Sequence, residues 1–85
     1  MSVHKAISEH SNRQHQRIKQ FAQLDSLREM YIEEAVSRCR QGQSFSVEQI
    51  NEVTKQINEL ARQGIVPTRK MVTPEMVQEY VERQK

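Results

Sequence analysis

Apolar residues recur along most of this chain at intervals of three and four, the spacing that gathers them on one side of an α-helix. The pattern is clearest over Val47, Ile50, Val53, Ile57, Leu60 and Ala61. Phe45-Ser46-Val47-Glu48-Gln49-Ile50 supplies a start for that helix. Ser46 can cap it, Gln49 can close a capping box, and Phe45 can staple onto Ile50. At the far end Gly64 offers a left-handed stop, with Ile65 placed to fold back on Leu60 in a Schellman motif. The spacing predicts a helix over 47–63.

Upstream, Leu24, Leu27, Tyr31, Ile32, Ala35, Val36 and Cys39 cover one broad face. That face opens at a second capping-box signature, Ser26 with Glu29, and closes at Gly42, predicting a helix over 25–41. The loop from Gly42 to Ser46 is short, and short loops make antiparallel neighbours, so 25–41 and 47–63 are expected to form a helical hairpin. Downstream, Thr73-Pro74-Glu75 places a cap, an N1 proline and a first-turn acid in order. Met76, Val77, Tyr80 and Val81 then face one way, predicting a helix over 74–84. Such a helix is too short to hold in water alone. Burying its apolar side chains contributes about 1.5–3 kcal/mol each, which is enough to dock it on the hairpin.

The beginning of the chain is different. Val3, Ala6 and Ile7, then Ile18, Phe21 and Ala22, stand at helical spacing, but SEHSNRQHQR (residues 8–17) between them holds no apolar residue. Nothing there breaks a helix, so 3–23 is expected to be helical, either separate from 25–41 or continuous with it. A helix polar on every side for nearly three turns cannot be core. It is expected to project into solvent. Val3, Ile7, Ile18 and Phe21 then lack an obvious cover within the chain, and they are the candidate contact for a protein partner or a second copy. The whole is one all-α domain, residues 1–85: a helical hairpin with an N-terminal helix and a short docked C-terminal helix.

Composition narrows the function more than the fold. Eighty-five residues bury only a thin core, which leaves homo-oligomerisation open. No apolar run approaches the roughly 20 residues of a membrane span, and MSVHKAISEH lacks the apolar region and cleavage site of a signal peptide. A single cysteine, Cys39, forms no internal disulfide. Together these point to the cytoplasm. The net charge of +2 is unevenly spread. Residues 1–20 carry four basic side chains against one acid, 21–60 four against seven, and 61–85 five against three. That excess is too small to argue for nucleic acid by itself. The alternative function, nucleic-acid binding, would fall to Arg13, Arg17, Lys19, Arg69 and Lys70.

Candidate chemistry is sparse. A helical metal pair needs histidines three or four apart, whereas His4, His10 and His15 are six and five apart. Cys39 lies between two arginines, which would lower its pKa if it were exposed, but its place on the apolar face reads as a small buried hydrophobe. There is no glycine-rich phosphate loop. No catalytic residue, metal site or cofactor is expected, and the chain is not expected to be an enzyme.

Two resemblances bear on this. Gly64-Ile65-Val66-Pro67-Thr68-Arg69-Lys70-Met71-Val72 resembles the turn and second-helix start of winged helix-turn-helix proteins, such as the SOS repressor's DNA-binding domain. That resemblance implies a helix of about two turns after Thr68 and a following helix in the DNA groove. Pro74 pushes Thr73 out of the helical region and leaves room for one turn at most. The groove helix would also bring Glu75, Glu79 and Glu82 against phosphates, the wrong sign. The stretch is therefore expected to be an extended connector, with Ile65 and Val66 tucked into the core. The second resemblance is wider. VHKAISEHSNRQ, FSVEQINEVTKQINELARQGIVPTRK and VTPEMVQEYV are similar to a small conserved family of unknown function from Gram-positive spore-forming bacteria. It implies a cytoplasmic location and supplies no activity.

Overall fold

The computed structural model describes the backbone of residues 2–84 and the side chains of residues 12–84. Three helices hold most of the chain: α1 (Ser2–Arg40), α2 (Glu48–Ala61) and α3 (Pro74–Arg83). Helices α2 and α3 each pack on α1. The molecule measures 62 × 20 × 17 Å, and its long axis is close to the ~58 Å that 39 helical residues span. All three helices were expected. Of the two readings left open for the first segments, the chain adopts the continuous one. The Ser26/Glu29 signature lies in mid-helix, because a cap acts only where the backbone leaves helical angles. No Gly or Pro before Gly42 makes it do so.

The ends of the helices differ from expectation in detail. Gly42, at φ +72°, closes α1 with both bonds of a Schellman motif: its own N–H donates to Cys39 O at 3.1 Å, and Gln43 N–H donates to Arg38 O at 2.9 Å. At Gly64, φ +93°, the chain instead leaves α2 through one turn of 3₁₀ bonds, ending with Gly64 N–H to Ala61 O at 2.9 Å. The expected Ser46/Gln49 capping box does not form. Val47 is the N-cap residue and makes no side-chain cap. Ser46 Oγ accepts from Glu48 N–H at 3.1 Å, a local turn that competes with the cap. Thr73 does cap α3 as its sequence foretells, its Oγ1 accepting from Met76 N–H at 3.2 Å, with Pro74 next and Glu75 in the first turn.

The core lies at the C-terminal half of α1. Ala35 and Val36 of α1, Ile50 of α2, Val72 of the connector, and Val77 and Val81 of α3 form one buried cluster. Val53, Ile57 and Leu60 extend it along α2. The α2 stripe is the one its spacing predicts. The α3 stripe is narrower, since Met76 and Tyr80 remain 37% and 49% exposed. Among the described helices α3 packs on α1, and two valines four residues apart, Val77 and Val81, are its buried positions.

Candidate functional site

The stretch from Arg62 to Thr73 crosses the molecule without a helix. Two asparagines of α2 hold it. Asn58 donates Nδ2–H to Arg69 O at 3.0 Å and accepts from Arg69 N–H at Oδ1 at 2.7 Å. Asn51 repeats the arrangement on Val72, both bonds 2.8 Å long. Each carboxamide thus serves as a peptide-like partner to one extended residue, satisfying backbone groups that a sheet would otherwise satisfy. The asparagines are seven apart, hence on one face of α2, with Thr54 between them.

Thr54 is fully buried. Its hydroxyl donates to Ile50 O at 2.8 Å and accepts from Arg28 Nε at 2.8 Å, so the buried oxygen is satisfied twice. Arg28 Nη2 reaches on to Lys70 O at 2.8 Å, tying α1, α2 and the connector through one side chain. Arg69 completes the set from the connector. It forms a two-pronged pair with Asp25 of α1, at 2.9 and 3.4 Å. Its guanidinium carbon lies 5.1 Å from the centre of the Phe21 ring. The Asp25 hydrogen bond is the main reason that the Arg69 pKa rises above its ordinary value; desolvation opposes this, and the charges of Asp25 and Glu29 add to it. Arg69 therefore stays cationic and committed to α1.

This arrangement answers the helix-turn-helix resemblance. Residues 67–73 form no helix, and the connector's backbone is turned toward α2. Lys70 keeps an exposed side chain, but its carbonyl is taken by Arg28. Ile65 and Val66 are half-buried.

The N-terminal half of α1 is another environment. Described contacts with the rest of the chain reach it no further than Phe21. Ile18 is 53% exposed, Arg13 and Lys19 are exposed, and Arg17 is half-buried. Phe21, expected to lack cover, is half-buried, with Arg69 over its ring. The side chains of Val3 and Ile7, and of His4 and His10, lie outside the described residues. His15 is exposed. Cys39 is half-buried against the core cluster. Among the described residues no three potential metal ligands gather, and no helix is long and apolar enough to cross a membrane.

Open hollows flank α1; one of about 390 Å³ lies between α1 and the loop before α2, beside Tyr31, Ala35 and Phe45. A groove of about 590 Å³ lies between α1 and α3, with Ile32, Val36 and Val77 in it and the exposed Met76 and Tyr80 at its side. A smaller hollow of about 330 Å³ lies beside the exposed Met30, between Ser26, Glu29 and Glu33. Sequence reasoning missed Arg28, Asn51, Thr54 and Asn58. The two asparagines carried a signal, being poor helix formers at heptad spacing beside an apolar stripe.

These features define a small all-helical protein with a clamped body and a projecting helix. Over residues 1–83 the chain matches the family described as "Protein of unknown function (DUF2533)", and it belongs to that family. It is 56% identical over 81 residues to the uncharacterized protein YpbS of Bacillus subtilis (strain 168), covering 95% of each chain. The resemblance to a family of unknown function from spore-forming bacteria is thereby borne out. No solved structure matches.

Proposed function

We propose that this chain is a non-enzymatic protein–protein interaction module of the cytoplasm, an adaptor or regulator that presents the N-terminal half of α1 to a partner protein or a second copy. The observation that carries this reading is that one helix has two environments. Residues 21–40 are packed by α2, α3 and the connector, while the half before them extends along the 62 Å axis with Ile18 53% exposed. An amphipathic helix draws most of its stability from the face it packs. A helical extension whose described side chains are exposed or half-buried thus gains most when another chain covers it.

The test is a pull-down of tagged chain from host extract at moderate salt, with and without nuclease, beside an Ile18→Glu variant. A stoichiometric protein that resists nuclease and is lost with Ile18→Glu supports the module. Recovery of nucleic acid, with proteins lost after nuclease, transfers the function to Arg13, Arg17, Lys19 and Lys70. Identical recovery by wild type and variant removes the arm from the reading.

A further inference from the structure

The side of α1 that faces away from the core carries its own pattern. His15, Lys19, Ala22, Ser26, Glu29 and Glu33 recur at intervals of four, three, four, three and four, the heptad spacing of a helix-pairing seam. All six are exposed, and so are Ile18 and Met30, at 53% and 54%, which flank the seam. None of the ion pairs among the described residues uses Lys19, Glu29 or Glu33. Basic residues lie toward one end of the seam, acidic residues toward the other, and the two smallest at its middle.

We infer that this face pairs with the same face of a second copy, the two α1 helices running antiparallel about a two-fold axis between Ala22 and Ser26. Deepening the proposed module, this inference names its partner as a second copy of the chain. The two-fold sets Lys19 opposite Glu29 and His15 opposite Glu33, each twice. It sets Ala22 opposite Ser26, where small side chains let helix axes approach toward the near end of the usual 8–10 Å. Ile18 and Met30 stand about 120° apart around the helix, on opposite flanks of the seam, so the two-fold leaves them at its two edges and the register rests on the charge pairs and the small residues. The register is specific. Slipping one copy by a heptad moves Lys19 opposite Ala22 or Val36 and breaks both charge pairs. A parallel pairing stacks Lys19 on Lys19 and Glu29 on Glu29, which repel.

One helix face is a small interface, so the association belongs to the weak, concentration-dependent class. Sedimentation velocity on the full chain, from about 10 to about 500 µM at low salt, covers that range. The expected result is a monomer–dimer equilibrium in wild type. Lys19→Glu and Glu29→Lys each raise the dissociation constant about tenfold, since each reversal turns two attractions into repulsions. The doubly reversed chain returns to within about threefold of wild type, because each new lysine again meets a glutamate. Circular dichroism checks that all three variants, altered only at exposed positions, retain their helix content. A monomer throughout the range overturns the pairing, as does a dimer indifferent to single reversal or a double variant no better than the singles. The pull-down separates this from the broader module: a wild-type monomer that still captures a partner sensitive to Ile18→Glu keeps the module and loses the self-pairing.

Discussion

The two halves of α1 share one backbone, yet they are held by different means. Over residues 21–40, Ala35 and Val36 are buried, Arg28 bonds to α2 and the connector, and Asp25 holds Arg69. Over residues 12–20, side chains are exposed or half-exposed, and helicity rests on propensity, local pairs and continuity with the packed half. The contrast shows that a helix boundary and a domain boundary need not coincide. Helix runs through Leu24–Leu27 because nothing there stops it, whereas the tertiary structure begins at about Phe21 because Arg69 and Asp25 meet there.

The sharpest way to break the comparison is a truncation at the centre of the body. Ile57 is wholly buried, and Ile57→Ala is expected to cost about 2–5 kcal/mol, with Ile18→Ala within about 0.5 kcal/mol of wild type. Urea denaturation followed by circular dichroism reads both. Equal shifts at the two isoleucines would mean that the arm is as integral as the core.

Next in size is the clamp. Asn51→Ala removes both partners of Val72, one N–H and one C=O beside a buried side chain, and is expected to cost about 2 kcal/mol. Asn58→Ala should cost less, because Arg69 keeps its ion pair to Asp25. If the denaturation midpoint ignores Asn51→Ala, the connector is held by Val72's apolar contacts rather than by the carboxamide.

The legibility of this fold follows the same division. The α2 stripe, the α3 start at Thr73-Pro74 and the stop at Gly42 were readable, because periodicity, capping and left-handed glycines are local rules. The continuity of α1 was only half readable: Ser26 and Glu29 form a start signal whose use depends on whether the preceding turns unwind. The clamp could not be assembled from sequence, since Arg28, Asn58 and Asp25 meet the connector across 42, 11 and 44 residues. Of the candidate contacts, Ile18 lies exposed, whereas Phe21 acquired its cover from Arg69, a residue read as a nucleic-acid contact.

The glycine stops are expected to matter less. Neither Gly42 nor Gly64 has a heavy atom within 4 Å of where a Cβ would stand, so Gly42→Val and Gly64→Val meet only the strain of a left-handed backbone. That strain costs about 1–2 kcal/mol per residue. Gly42 should stand at the upper end, because both of its motif bonds depend on the geometry, while the turn after Ala61 can rearrange. Denaturation midpoints that rank Gly64 first would place the firmer stop after α2.

The smallest effect on stability is expected from the largest deletion. Removing residues 1–17 takes away nearly half of α1, yet it leaves Phe21, Asp25, Arg28 and every side chain that is buried among the described residues in place. The body should unfold within about 0.5 kcal/mol of the full chain, since exposed residues away from packed features contribute little. Helical signal should fall in proportion to the residues lost, and the unfolding transition should stay as steep, because the surface exposed on unfolding comes mainly from the body. A lower midpoint would mean that the arm folds back on the body. A shallower transition at an unchanged midpoint would mean that the arm and body unfold as one cooperative unit, and the division of α1 at Phe21 would then describe its surroundings but not its stability.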